Sequence, residues 1–529
     1  MTASRRQLLQ LATACASALW IGRSSWSQES WSSDPFAYGV ASGSPTHDSV
    51  VLWTRLAKPV AVIGPVAPVS VRWELAHDEQ FKRIVHRGQA AAAPELGYSV
   101  HVELAALEAD RWYHYRFMVG DAISPVGRTR TFPLPGAMVN RLRLGYASCQ
   151  KWEDGYFTAW RHMRAENLDA VMFLGDYIYE YPGVSSKLRT PGGGWVLTLA
   201  DYRARFALYK TDADLQAMHA ACPWLMTWDD HEVQNDYAGT HPGDSGPPGG
   251  FASTNFLARR AAAYQAYYEN MPLRASVLTQ ALGGLTRGLE MRIYAHLQFG
   301  RLASLYLLDG RQYKDPQVCS RGGKWGSSLV DPAKCDTWND PQRSYLGAAQ
   351  EQWLQAELES AASRGAIWNV IGQATLFGER NFAQGPAKKL WNDGWDGYSA
   401  ARTRLTNGLQ KSAATNPVLL GGDVHENWVG HVKADYANRS SKSVGVEFCG
   451  TSITSHSGKT DSTAQLLADN PHFVFADSKS RGYGVAEFSA KQLEVRLRVV
   501  DDVTRQDTKI DTLAQFVVQA EQPVVERVR

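Results

Sequence analysis

Three segments of the chain end in side chains that bind metal ions: FLGDYIYE around Asp176, TWDDHEVQND around Asp230, and LLGGDVHENW around His425. Each begins with an apolar run, which places its acidic, phenolic or imidazole groups at the end of a buried strand. The ligand types narrow the ion. Asp176, Asp230 and Asp423, with the amide of Asn235, offer hard oxygen, which suits Ca²⁺, Mg²⁺ or Mn²⁺. Tyr179 lies three residues after Asp176, and Cys149 ends an earlier apolar run. A phenolate and a thiolate together form an electron-rich pair best matched by trivalent iron, with His425 adding neutral imidazole. Zinc alone fits less well, because no compact Cys/His set is present. A polynuclear centre for phosphate-ester chemistry is the first expectation.

These groups need strands to carry them. The pattern predicts strands over Leu142–Ala147, Ala170–Leu174, Trp224–Thr227 and Val418–Leu420, each followed at once by one cluster. In α/β sheets, sites form outside the carboxyl ends of strands, so four strand ends supply one rim. Further strands are expected at Leu302–Leu307, Trp368–Ile371 and Val444–Phe448, and helices at Phe256–Tyr268 and Ala348–Ala362. This alternation indicates α/β layers over a catalytic domain spanning residues 141–520. Residues 36–135 read differently. Short alternating runs at Ser49–Arg55, Val69–Ala76, Tyr98–Leu104 and Trp112–Val119, with no long helix, predict a small all-β sandwich of immunoglobulin or fibronectin III type. Phe132-Pro133-Leu134-Pro135-Gly136 is the expected linker.

At 529 residues the chain exceeds one ordinary core, and its formal charge of +2 creates no basic field for nucleic acid. Ser4-Arg5-Arg6-Gln7-Leu8-Leu9, an apolar run and then small residues predict a twin-arginine export signal over residues 1–28, too short to span a membrane stably. Its removal takes away Arg5, Arg6 and Arg23, so 55 basic and 53 acidic residues become 52 and 53. A periplasmic or secreted protein with no transmembrane segment in its mature chain is expected. Beyond Cys15, five cysteines remain, so at least one lies outside any internal disulfide. Cys319 and Cys335 flank a polar loop and could close it, stabilising by about 3 kcal/mol. Cys149 is the best candidate for the unpaired thiol, and Cys222 and Cys449 read as buried thiols.

The motifs YASCQKWEDGYF, FLGDYIYEY, WLMTWDDHEVQNDYA, LLDGRQYKD, DGWDGYSAARTRL, LLGGDVHENWVG and GVEFCGTSITS, with FAYGVASGSPTHDSVVLWTRL near the start, resemble the PhoD-type alkaline phosphatases. These form a branch, with phospholipase D-like enzymes, of the calcineurin-like metallophosphoesterases. The resemblance covers nearly the whole mature chain. One departure is Ser44, where the family usually has Asp in SGDP. The resemblance implies an αββα catalytic sandwich behind the small all-β one, and a centre of Fe³⁺ with Ca²⁺, two calcium ions being expected. Cys149, Asp176, Tyr179 and His425 would hold iron, with Asp176 bridging to calcium. Asp229, Asp230, Asn235 and Asp423 would be the calcium-side candidates. Asp230 is favoured over Asp229, because the Asn of the related GNHE motif aligns with it, and Asp229 equally reads as a supporting carboxylate.

The implied reaction is in-line attack on phosphorus by a metal-bound oxide or hydroxide, with His231 protonating the leaving alkoxide, help worth about 10²–10⁴-fold in rate. Arg205 and Arg311 are the expected phosphate contacts. The implied enzyme is an exported phosphoric ester hydrolase acting on small phosphate monoesters. A phosphodiesterase or phospholipase D-like hydrolase could use the same site. A binding protein with a degenerate centre is disfavoured, since every main cluster keeps its ligands.

Overall fold

The computed structural model describes residues 33–57, 67–184, 187–247, 255–278, 290–321, 326–385, 387–412, 414–457 and 463–529, so the expected export signal lies outside the described residues. Two sheets face one another. The first has ten strands, in the order Glu526–Arg527, Ile510–Gln519, Gln492–Val500, Arg481–Phe488, Leu142–Ala147, Ala170–Leu174, Trp224–Thr227, Val40–Gly43, Val50–Arg55 and Ser99–Leu104. The second has seven, in the order Ala295–Phe299, Ala303–Leu307, Trp368–Gly372, Pro417–Gly421, Ser443–Cys449, Asn427–Lys433 and Phe473–Asp477.

The two-residue period of a strand explains how each layer is covered. Ala170, Met172 and Leu174 point between the sheets, where they join Leu305, Val370, Val418 and Leu420 in one core. Val171 and Phe173 point outward into a second core, with Trp160, Phe206, Tyr264 and Tyr267 from helices Thr158–Arg164, Leu199–Lys210 and Phe256–Asn270. On the far side, Ile371 and Leu419 meet Leu354, Leu358, Leu405 and Leu409 of helices Ala348–Glu359 and Ser399–Lys411. Helices thus cover both outer faces, giving the expected αββα sandwich.

The N-terminal region is all-β, as expected, but its construction holds a surprise. Five strands, Ile84–Ala92, Val69–Ala76, Trp112–Val119, Ala122–Ile123 and Gly127–Arg130, form one antiparallel sheet. The facing layer is the far end of the ten-stranded sheet. Val50, Leu52, Val100 and Val102 pack there against Val71, Tyr113, Tyr115 and Phe117. The join is a parallel pairing of Val40–Gly43 with Trp224–Thr227, at Gly43 opposite Trp224. A Cβ on Gly43 would lie 2.8 Å from the Trp224 carbonyl oxygen, so only glycine permits this approach. The indole of Trp53 also donates to the Glu269 carbonyl at 3.1 Å. The small sandwich therefore shares its hydrogen-bond ladder with the strand that carries Asp229, Asp230 and His231.

Candidate metal centre

Leu142–Ala147, Ala170–Leu174 and Trp224–Thr227 run parallel, so their carboxyl ends lie on one side. Pro417–Gly421 brings its own end to the same place from the second sheet, parallel to both neighbours. The approach is close: a Cβ on Gly422 would lie 2.3 Å from Ser148 Oγ. Immediately past these ends the backbone is left-handed at non-glycine residues, with φ of 60° at Cys149, 58° at Asp176, 63° at Asp423 and 57° at His425. Such a conformation costs about 1–3 kcal/mol per residue and concentrates where function fixes a side chain.

Cys149 Sγ, an Asp176 carboxylate oxygen and a His425 ring nitrogen all lie within 4.8 Å of one another. Tyr179 joins them. Its hydroxyl donates to Asp176 Oδ2 at 2.9 Å, accepts from Ser455 Oγ at 2.8 Å and stands 3.2 Å from His425 Nε2. His425 Nδ1 lies 3.0 Å from the His456 carbonyl. A carbonyl only accepts, so Nδ1 carries the proton and the Nε2 lone pair faces the cluster.

A second group adjoins the first. Asp176, Asp230 and His231 lie within the same 4.8 Å span, and so do Asp230, Asp236 and Asp393. Asp230 Oδ2 accepts the Asp236 amide at 2.7 Å. Asp423 enters from the other sheet, its Oδ2 bonded by Thr375 Oγ1 at 2.5 Å, and burial with the nearby Asp229 and Asp230 pushes its carboxyl up to about 7. His231 Nδ1 is 2.7 Å from Glu180 Oε2. Burial would lower this imidazole, but Glu180, Asp176 and Asp230 together hold its pKa well above the ordinary value.

Other expected residues take supporting positions. Asp229 is gripped through both oxygens by Arg311, at 2.6 and 3.2 Å, and so stands behind Asp230. Asn235 gives its backbone N–H to Glu180 at 2.8 Å and its side-chain amide to Asp244 at 2.7 Å. Neither expected arginine is available to substrate. Arg311 is fully buried among Asp229, Asp230 and Asp393, and Arg205 donates to the carbonyls of Tyr179 and Tyr181. Backbone acceptors and buried carboxylates compete with substrate for a guanidinium, and spacing along the sequence reveals neither.

Sequence reasoning overlooked Asp236, Asp393, Glu180 and Glu232. All four sit inside quoted motifs, so their carboxylates were visible, but which neighbour each would face was not. Glu232 accepts three backbone N–H groups: Tyr177 on Oε1 at 2.6 Å, and Asp176 and Asp229 on Oε2 at 3.2 and 2.9 Å. It staples two strand-end loops together.

The donor set fits metal ions. Buried polar atoms are normally paired, yet Asp176 Oδ1 and Asp230 Oδ1 are buried with no hydrogen-bond partner. Burial pushes the Cys149 thiol, the Asp176 carboxyl and the Tyr179 phenol well above their ordinary pKa values, and the Asp176 charge adds to the rise at the thiol and the phenol. Three adjacent groups that resist ionising are a poor anion cluster alone and a good one around a multivalent cation.

Comparison with known proteins identifies the family. The PhoD-like phosphatase family matches residues 144–497, and the PhoD-like phosphatase N-terminal domain matches residues 22–133. The sequence is 44% identical over 508 residues to alkaline phosphatase D of Bacillus subtilis (strain 168), covering 94% of this chain and 83% of that protein. A solved structure of PhoD superposes with a TM-score of 0.85 at 43% identity, over 94% of this chain and 93% of the other.

Proposed function

The chain belongs to the PhoD-like phosphatase family, and from that premise we propose that it is an exported alkaline phosphatase hydrolysing phosphate esters at a centre of Fe³⁺ and Ca²⁺. The observation that carries this reading is the pair of unpartnered buried oxygens, Asp176 Oδ1 and Asp230 Oδ1, on two loops that face one another. Cys149, Asp176, Tyr179 and His425 would hold iron. Asp230 and Asp423, with Asp236 and Asp393, would serve calcium, and Asp176 lies between the two groups. Asn235 remains a calcium-side candidate only if its side chain turns from Asp244. Asp229 supports from behind through Arg311.

When bound, the ions supply the positive charge that polarises the phosphoryl group and makes water nucleophilic near neutral pH. The protein's own groups do the rest. Glu180 fixes the His231 ring by its Nδ1–H, which leaves Nε2 as the atom that carries a proton to the leaving alkoxide. Tyr179 packs against His231 with ring centroids 4.1 Å apart and prevents the imidazole from swinging away.

Export by the twin-arginine route, to the periplasm or beyond, is supported by the N-terminal sequence and by the disulfide joining Cys319 to Cys335. Among the described residues no helix is long and apolar enough to cross a membrane.

The test is a paired rate assay on purified mature protein with Ca²⁺ present, using an aryl phosphate monoester and the matching diester. Monoester preference, loss of activity on calcium chelation, recovery on adding Ca²⁺ and a visible thiolate- or phenolate-to-iron absorption band are expected. A strong diester preference would move the function to phosphodiester hydrolysis, and a colourless, iron-free, fully active preparation would remove iron.

A further inference from the structure

A cationic side chain can add to the charge that bound ions bring to a phosphoryl group, and several arginines and lysines around this centre are already engaged. Arg311 and Lys314 are buried against aspartates. Arg205 serves the Tyr179 and Tyr181 carbonyls. Arg481 donates to the carbonyls of Ser480 at 2.6 Å and Ser478 at 3.3 Å. Arg189 stacks on Trp152 and donates to the Trp152 carbonyl at 3.0 Å. Lys187 pairs with Asp154 at 2.6 Å.

Lys151 differs. It lies two residues beyond Cys149, and its backbone carbonyl is fixed by Thr454 Oγ1 at 2.7 Å. Its ammonium sits 5.5 Å from the Tyr179 ring centroid and 5.3 Å from that of Tyr181. Those two rings pack against His231, at 4.1 and 5.3 Å. The side chain is 23% exposed, and its nearest carboxylate oxygen, Asp154 Oδ2, is 4.0 Å away on a group whose other oxygen already holds Lys187. Lys151 is therefore a loosely held cation on the aromatic wall that joins the proposed iron ligand Tyr179 to the proposed acid His231.

Resting on the phosphatase reading above, we propose that Lys151 is a specificity-determining residue that binds the non-bridging oxygens of the phosphoryl group and favours dianionic monoesters over monoanionic diesters. A monoester carries two charges on its terminal oxygens, and a diester has one of those oxygens esterified. An ammonium beside the phosphoryl group attracts the first more strongly in a site shielded from water. Lysine acts here as a compact point charge with three donors, well suited to phosphate oxygens that shift as the bond breaks.

The test uses the metal-loaded mature enzyme with Lys151→Met and Lys151→Arg. For each, kcat/KM is measured on an aryl phosphate monoester and the matching diester, together with iron content, the iron absorption band and competitive inhibition by inorganic phosphate. Lys151→Met should lower monoester kcat/KM by about 10- to 100-fold and weaken phosphate inhibition similarly, while changing the diester by less than about threefold. Lys151→Arg should recover much of the monoester rate, and iron content and band should stay as in wild type. In Lys151→Met, parallel loss on both esters or an unchanged ratio overturns the inference. If Lys151→Met does not fold, Lys151→Gln decides: a selective loss on the monoester with weakened phosphate inhibition supports the inference, and a wild-type ester ratio or equal loss on both esters overturns it. Wild-type enzyme that is metal-loaded and turns over neither ester overturns the phosphatase reading itself, and the inference with it.

Discussion

The two ligand clusters differ in how their charge is balanced. Around Asp229, Asp230, Asp236 and Asp393 the protein supplies its own cations. Arg311 reaches Asp229 at 2.6 Å, Asp393 at 2.8 Å and Asp230 at 3.4 Å, and Lys314 reaches Asp393 at 2.6 Å. Against the upward push of burial, these cations, with His231 beside Asp230, hold the Asp230 and Asp393 carboxyls below their ordinary pKa values, while burial and the neighbouring aspartates still raise Asp229 and Asp236. Around Cys149, Asp176, Tyr179 and His425 no arginine or lysine pairs with a ligand atom among the described residues; His231 beside Asp176 favours its charged form, yet burial still pushes the thiol, carboxyl and phenol toward their neutral forms. The acidic cluster is therefore preformed and partly neutral before any ion arrives, whereas the mixed cluster becomes an anionic ligand set only with a strongly charged ion. The proposed trivalent ion on one side and divalent ion on the other would suit that asymmetry.

Asp176 belongs to both clusters, so its loss should have the largest effect. Asp176→Asn is expected to lower kcat by about three orders of magnitude or more, because several kcal/mol of charge stabilisation is lost on both sides at once. Steady-state kinetics and metal analysis check this. A variant that keeps both its metals and more than a tenth of its activity would break the bridging assignment.

Arg311→Met comes next and probes the acidic side alone. Removing a cation from among three buried aspartates should destabilise the fold by about 3–5 kcal/mol, read from denaturant unfolding of the metal-free protein. Ca²⁺ should reduce this loss if an ion binds there, because it replaces the missing charge. A deficit that is the same with and without Ca²⁺ would show that the acidic cluster is a structural ion-pair network.

The asymmetry between the clusters also marks the boundary of what the sequence discloses. Cys149, Asp176, Asp230 and His425 were legible because each directly follows a short apolar run, and strand-end placement is a local property. The inner strands of the catalytic layers were legible for the same reason. Asp393 was not, since its meeting with Arg311 and Lys314 depends on how distant loops fold over the rim. The pairing of Val40–Gly43 with Trp224–Thr227 was equally hidden, because strand partners far apart in sequence leave no mark on the local pattern. Gln492–Val500 is a different case. Leu493, Val495 and Leu497 face the core between Glu494, Arg496 and Arg498, a clear two-residue period that a strand assignment ending at Phe448 leaves unused.

Glu232 offers the finest division between the clusters, with the smallest effect. Its carboxylate holds the amides of Asp176 and Tyr177 on one loop and of Asp229 on the other. Glu232→Gln is nearly the same size, but its NH₂ end faces backbone N–H groups and cannot accept from them, so one side of the staple opens. The two loops do not depend on it equally. Asp229 keeps its bidentate bond to Arg311, whereas Asp176 sits at a left-handed φ of 58° with Oδ1 unpartnered. The mixed cluster should therefore suffer more. Iron retention and kcat are expected to fall by roughly 10- to 100-fold, the range for residues that support metal ligands from behind. The Ca²⁺ concentration for half-maximal activity should move by less than about threefold. Metal analysis after dialysis and a calcium titration of the residual activity separate the two quantities. Equal losses on both sides would mean that Glu232 supports the rim as one unit, and that the clusters differ in charge balance but not in mechanical support.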